Sequence, residues 1–501
     1  MIMKKTAIIL FLLLSGCLCA SAQESCHITA DRAHYRAGER LFCAVTARAD
    51  DGSISASSGI AYVGLYSPEG LAASGKVELI DGRGGGEIVL PKSLATGNYL
   101  LLAWTCAGGR CGKTSVISIY NPHTTARVGE VIVSETIPSP DQAAPSRRSA
   151  TIQLDERATV SVSLVRDCGL PRHTPVEGVR MAEPGSPEPD GEIISVRIGG
   201  TENYQGLEAF LAVPGSDQLY PAPIEKDGLV RFHTENIRGH KDVAFVIGKD
   251  DVVGNYTLSL LPPFPERVDL PVPSLTLTPS MKEAIATLGN VHLDTLDIRF
   301  PERKPASLYA DPATRYAYIL DDYTRFPTMR ETLIEFVYDI RARKEDGKIR
   351  LSVHYREDVN GYYRFDKDRA LVMLDGVPIF NHQLIYDYDP ALVERIDVYR
   401  GVYFMGNNYF RGLANFVTFE KSLPGFRFGD DVKILELDGV SPVHAYAGGH
   451  ETLYWNPLLT LEAGQPLEIT PPAGAEGRFI LTIDGFTDSG KPVHEQFFLS
   501  K

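Results

Sequence analysis

The chain has 501 residues, with 44% hydrophobic content, 45 glycines and 33 prolines, a turn-rich globular composition that excludes disorder as the main state and collagen-like repetition. At roughly 100–200 residues per domain, this length predicts three or four domains, each able to bury its own core. Sixty-four acidic against 50 basic residues give a net charge of −14, which excludes nucleic acid as a partner because such binding requires clustered Lys and Arg to displace counterions.

The N-terminus reads as an export signal over residues 1–22. Lys4 and Lys5 precede an apolar run from Ala7 to Leu14, and the small residues Ala20, Ser21 and Ala22 supply a cleavage site before Gln23. A second cleavage site competes: Leu14-Ser15-Gly16-Cys17 has the form of a lipobox and would leave a lipid anchor on Cys17. The first is preferred. Loss of Lys4 and Lys5 takes the net charge from −14 to −16. The expected location is the periplasm, the outer membrane or the cell surface. No later stretch supplies the roughly 20 apolar residues of a membrane-spanning helix, so none is expected.

Export exposes the remaining cysteines to oxidising conditions. Cys106 and Cys111 flank a Gly-Gly turn between strand-like runs, where a disulfide closing a hairpin is expected. Cys26 with Cys43 forms a second candidate pair, leaving Cys168 free. The spacing is unlike a zinc site, and no metal is expected.

Residues 23–122 alternate between short apolar runs and turn signals, including Leu41–Val45, Ile60–Val63, Val77–Ile80, Glu87–Leu90, Tyr99–Trp104 and Ser115–Tyr120. This spacing predicts a β-sandwich. Gly84-Gly85-Gly86 leads into Glu87 with no Lys or helix behind it, and reads as a hairpin turn. The elements Tyr35-Arg36-Ala37-Gly38-Glu39 and Leu94-Ala95-Thr96-Gly97-Asn98-Tyr99-Leu100, leading to Ala103-Trp104-Thr105, resemble a macroglobulin-type domain of bacterial alpha-2-macroglobulin relatives. The resemblance covers about a fifth of the chain. It implies a sandwich fold; no Cys is followed by Gly-Glu-Gln, so the family's covalent thioester capture is not expected.

Residues 123–149 are rich in Pro, Ser and charge and read as a linker. Strand patterns at Ala158–Leu164, Glu192–Ile198, Ala209–Val213, Val230–Phe232, Val243–Ile247 and Tyr256–Leu261 predict a second sandwich over 150–262. Pro262, Pro263 and Pro265 mark its end, and 263–305 forms another linker.

The period then changes. Met329, Leu333, Phe336, Val337 and Ile340 form an i, i+4, i+7, i+8, i+11 stripe, which predicts a helix running from Pro327 through Arg341, Arg343 and Lys344 to a stop at Gly347. Leu371–Phe380 reads as a strand, an Asp375-Gly376 turn and a second strand. Asp389-Pro390 caps a short helix, Ile396–Tyr399 forms a strand stopping at Arg400-Gly401, and Phe416–Phe419 forms the last strand. Leu374-Asp375-Gly376-Val377-Pro378 followed by Glu394-Arg395-Ile396-Asp397-Val398 resembles the plug domain of TonB-dependent outer-membrane receptors, and 306–422 is assigned to a plug-like α+β domain on that basis. The resemblance implies an outer-membrane barrel or a periplasmic protein as partner. A receptor barrel of some 22 strands would require more than about 200 further residues, and only 423–501 follow. Asp294–Ile298 resembles the energy-coupling box of such receptors only faintly.

Aromatics are concentrated around these loops. Asn407, Asn408, Tyr409 and Arg411 lie between Gly406 and Gly412, with Tyr403 and Phe404 just before them, and these six are the candidate partner contacts. Residues 423–501 predict a C-terminal sandwich. With Tyr454-Trp455-Asn456-Pro457 and Ile319–Met329, the module order resembles that of secreted Bacteroidota proteins.

The fold class expected is thus mainly β, with tandem macroglobulin- or Ig-like sandwiches and one α+β domain. No zinc-binding His-Glu-x-x-His, no nucleophile elbow and no phosphate loop occurs, so neither catalysis nor a cofactor is expected. Two function classes follow: a non-catalytic binding or scaffolding protein of the cell envelope, and a surface or secreted ligand- or protease-binding factor.

Overall fold

The computed structural model describes residues 24–135, 145–200, 204–235, 237–249, 256–288, 294–297, 306–311, 313–356, 363–365, 370–429, 432–448 and 450–501. The export signal and Cys17 lie outside these residues. The chain is mainly β, with many short sheets and few helical turns. It divides into two units built from interleaved segments. The first takes residues up to Gly191, Pro263–Pro301 and Val440–Lys501; the second takes Glu192–Pro262 and Glu302–Gly439.

In the first unit, the predicted N-terminal sandwich is formed by β1 (Glu24–Ala30), β2 (His34–Arg36), β3 (Arg40–Ala49), β4 (Ile60–Ser67), β5 (Gly70–Glu78), β6 (Arg83–Val89), β7 (Gly97–Trp104), β8 (Arg110–Lys113) and β9 (Ser115–Tyr120). One sheet runs β8-β1-β3-β6, extended by Glu177–Arg180, and the other β2-β9-β7-β4-β5. Inward residues of both, among them Ile28, Tyr35, Val45, Leu65, Leu101 and Trp104, form one core.

The three consecutive glycines do not make the turn. They lie inside β6, and the turn is Asp81-Gly82, with φ of +49° and +75°. A Cβ at Gly84 would fall 2.2 Å from the Glu78 carbonyl oxygen and one at Gly86 2.5 Å from Ser441 Oγ, so neighbouring chain occupies the space that side chains would need.

The expected bridge between Cys106 and Cys111 is not formed. All five described cysteines are free thiols. Cys111 is buried in the core, with its thiol directed to the Lys113 carbonyl, while Cys106 lies half-buried beyond the end of β7. Cys43 is paired across the sheet with Ala30, not with Cys26.

A further sheet of this unit exchanges strands relative to the expected boundaries. Ala158–Arg166 lies between Thr452–Leu461 and Arg478–Thr487, antiparallel to both, and Pro492–Ser500 forms the edge. Nearly every residue of Ala158–Arg166 is buried; such a strand needs a neighbour on each side and cover on both faces, which strands of distant sequence supply here. Asp294–Asp297, from the suggested coupling box, pairs with His444–Ala447 at the other end, and Ile298 lies outside the described residues.

The second unit contains a sandwich of a three-stranded sheet (Leu229–His233, Ile193–Gly199, Thr257–Leu261) and a four-stranded one (Leu219–Pro223, Glu208–Ala212, His240–Ile247, Lys433–Asp438). The last strand was expected in the C-terminal sandwich. The remainder is a mixed five-stranded sheet in the order Arg315–Ile319, Val393–Met405, Asn408–Thr418, Leu371–Leu374, Val377–Pro378. Its core continues into Phe210, Ala212, Leu219, Ala244 and Val246 of the neighbouring sandwich, so 306–422 does not close a core of its own.

The helix predicted from Pro327 is real but short. It spans Met329–Glu335, with the Thr328 hydroxyl accepting from the Glu331 N–H. Arg341, Arg343 and Lys344 lie instead on a strand, Ile340–Glu345, which turns back at Asp346-Gly347 (φ +49° and +83°) to pair with Lys348–Arg356. A hairpin turn of that geometry outweighs the apolar stripe beyond Phe336. Asp375-Gly376 makes the predicted turn, with φ of +47° and +83°, and the Asp375 carboxylate accepts from Thr418 N–H, Thr418 Oγ1 and Leu423 N–H at 2.6–2.9 Å.

Candidate functional site

In the second unit, Arg400-Gly401 does not end its strand. It forms a bulge within Val393–Met405, after which the chain continues outward, turns at Gly406-Asn407 and returns as Asn408–Thr418. The six predicted contact residues therefore lie on a hairpin and not in a loop. Alternation divides them. Tyr403 and Met405 face the core, as does Phe410, whose ring lies 6.4 Å from that of Phe210. The Tyr403 hydroxyl lies 3.0 Å from Thr314 Oγ1, and burial pushes its pKa up; it is a packing residue.

The opposite face carries Val402 across from Arg411 and Phe404 across from Tyr409. Phe404 is 75% exposed. Its ring centroid is 6.2 Å from that of Tyr409, and the Arg411 guanidinium lies over both Tyr355 and Tyr409. Asn407 contributes its backbone: its N–H donates to Oε1 of buried Glu208 at 2.9 Å, and a Cβ on Gly406 would meet that same carboxylate at 2.7 Å. The hairpin thus brings Phe404, Tyr409 and Arg411 together, with Asn408 half-buried beside them.

Sequence reasoning missed a cleft in the first unit with a volume of about 1190 Å³. Its walls come from β1, β8, the segment around Arg172, and the strands Arg478–Thr487 and Pro492–Ser500. At its base Asp484 is buried, accepting from Thr29 Oγ1 at 3.2 Å, Lys113 Nζ at 2.7 Å, and the imidazoles of His494, at 2.6 Å, and His27. Burial would raise this carboxyl, but the hydrogen bonds from His27 and His494 and the nearby positive charge prevail and hold it well below the usual carboxylate range. Both oxygens are occupied by donors, so Asp484 is a fixed anchor and not a free base.

The other cations of the cleft differ in their pairing. Arg478 Nε reaches Asp167 at 3.2 Å. Arg48, however, donates only to the carbonyls of Gly52, at 2.8 Å, and Gly490, at 3.2 Å, and lies 4.5 Å over the Phe486 ring. Arg172 makes no hydrogen bond or ion pair among the described residues; desolvation lowers its pKa, and the nearby Asp167 carboxylate opposes that shift. No local signal pointed here: His27 and Asp484 are 457 residues apart. Among the described residues, no group of three or more His, Cys, Asp and Glu is placed to hold a metal.

No family model and no curated protein matches the chain. Among solved structures, it is similar to native Escherichia coli alpha-2-macroglobulin (9% identity, 96% of this chain and 22% of that one, TM-score 0.17) and to Salmonella alpha-2-macroglobulin reacted with methylamine (8%, 95% and 23%, TM-score 0.17). An Escherichia coli adhesin, FdeC, is matched over 50% of this chain and 62% of its own, at 11% identity and TM-score 0.16. The chain spans less than a quarter of the two macroglobulins. At such scores, these likenesses carry no argument about function.

Proposed function

We propose that the protein is a non-catalytic binding or scaffolding component of the cell envelope, which engages a barrel of the outer membrane or a periplasmic protein through the hairpin of its plug-like region. The observation that carries this reading is Phe404. A large aromatic ring, 75% exposed, stands at the end of a strand whose alternate residues Tyr403 and Met405 are locked in the core. A rigidly held aromatic exposed to water has the character of an interface anchor, because it buries much area at small entropic cost.

The test is photo-crosslinking from position 404 in envelope fractions, paired with recovery of the crosslinked partner by wild type and by Phe404→Ala. A defined partner lost in the variant supports the reading. Equal recovery from both sinks the hairpin as the contact, and recovery of the protein only in culture medium sinks the envelope placement. Deletion of 306–422 is unsuitable, since it would strip cover from Phe210 and Val246.

A surface or secreted ligand-binding factor is the second reading, and the cleft around Asp484 favours it.

A further inference from the structure

The cleft of the first unit has two properties that arise independently. The first is its charge. Arg48, Lys113, Arg172 and Arg478 line it against Asp167, Glu177 and Asp484. Lys113 is engaged by Asp484 and Arg478 by Asp167, whereas Arg48 has only neutral carbonyl partners and Arg172 has no hydrogen-bonding partner among the described residues. Four cations against three carboxylates leave this wall with an excess of positive charge in a chain of net charge −14, and Arg48 and Arg172, which no carboxylate engages directly, present that excess to a ligand of opposite sign.

The second property is an open sheet edge. Pro492–Ser500 is the last strand of its sheet. Ser500 N–H and the Phe498 carbonyl point away from Arg478–Thr487, because both bond to Arg147 at 2.9 Å. By strand alternation, the backbone groups of His494 and Gln496 point the same way, and among the described residues nothing pairs with them. The side chains of His494, Gln496 and Phe498 line the cleft. A strand added at this edge would therefore lay every second side chain over the cationic wall. Arg147, bridged in parallel to Leu499, shows that the edge accepts backbone partners.

We propose that this cleft binds an extended acidic peptide segment, which adds a strand beside His494 and Gln496 and sets its carboxylates against Arg48, Arg172 and the outer nitrogen of His494. The backbone supplies register and orientation, and the arginines supply selection for acid.

Calorimetric titration of the full chain with a blocked heptapeptide alternating Glu and Val tests this. Binding with one site per chain is expected, at least about tenfold weaker for the Gln-for-Glu peptide and for a peptide N-methylated at alternate amides. Arg172→Glu weakens it by about tenfold or more, with the unfolding temperature measured alongside so that a loss of binding is read on folded protein. Absence of binding, equal binding of the neutral or N-methylated peptide, or tighter binding of a linear oligouronate of equal charge would each overturn the proposal. Insensitivity to Arg172→Glu would do so too.

Discussion

The carboxylate of Glu208 accepts a hydrogen bond from the backbone N–H of Asn407, 199 residues further along the chain. Glu208 is 3% exposed, and its second oxygen, Oε2, is buried without a hydrogen-bond partner among the described residues. The tip of the hairpin is thus held by a buried carboxyl with one oxygen bonded and the other without a hydrogen-bond partner. Glu208→Ala should cost about 1–3 kcal/mol by leaving the N–H unpaired, and should speed hydrogen exchange at Asn407. Glu208→Gln keeps an acceptor for the Asn407 N–H, so it should be more stable than Glu208→Ala. Chemical denaturation of the three proteins checks the order.

Phe404→Ala should leave stability within about 0.5 kcal/mol, as expected for an exposed side chain. Met405→Ala, removing a fully buried residue one position on, should cost about 2–5 kcal/mol. A large effect of the first substitution in urea unfolding would mean that Phe404 packs within the unit and is not available to a partner.

Asp484 receives Lys113 and two imidazoles in a buried setting, with the Lys113 side chain 22% and the His27 side chain 16% exposed. Removing the carboxylate by Asp484→Asn leaves these groups without their counter-charge, an expected cost of about 3 kcal/mol. Because its folded pKa is depressed, its contribution is complete above the unfolded value of about 3.9 and is lost as pH falls below that. The wild-type minus variant difference in stability should therefore narrow only under acid conditions, below about pH 4.

His382 acts in the opposite sense in the second unit. Its Nδ1 accepts the Leu351 N–H at 3.0 Å, and burial, aided by Arg350, lowers its pKa to about 4. The unfolded chain takes up a proton at this residue near pH 6.5 while the folded chain does not, so stability should fall as pH drops from about 6.5 to about 4. One such proton gives a slope of at most about 1.4 kcal/mol per pH unit. His382→Asn, which retains an acceptor, should flatten it; an unchanged slope would place the effect elsewhere.

The thiols offer a separate check. Burial pushes Cys43 and Cys111 up to about 12 and Cys106 to about 11. Alkylation of the folded protein at neutral pH should proceed slowly at half-buried Cys106 and Cys168 and spare Cys26, Cys43 and Cys111. Denaturation should expose all five, and recovery of a peptide joined through Cys106 and Cys111 would restore the bridge expected from their spacing.

What was legible in the sequence was local. Alternation located the strands of the first sandwich, and Asp375-Gly376 and Asp389-Pro390 announced their turn and cap because those residue types meet a backbone requirement within four positions. Alternation does not name a strand's neighbour. Ala158–Leu164 was found as a strand yet assigned to the wrong sheet, Lys433–Asp438 was not singled out as a strand at all, and the Met329 stripe ran past its helix because Val337 and Ile340 are buried for reasons unrelated to helical period. The cleft was invisible for the same reason, since Lys113 and Asp484 meet only after strand pairing is complete.

That pairing bears on how the protein is made. Ser161 bonds to the Asp484 carbonyl, 323 residues later, and at roughly 5–20 residues per second the ribosome needs tens of seconds to supply the second strand. Through that interval Ala158–Arg166 is an apolar segment with neither flank covered. Its sheet therefore cannot close until residues 478–487 have emerged, and a holding chaperone that masks Val160, Val162 and Leu164 should raise the yield of native protein more than one that acts on the N-terminal sandwich, whose nine strands emerge together.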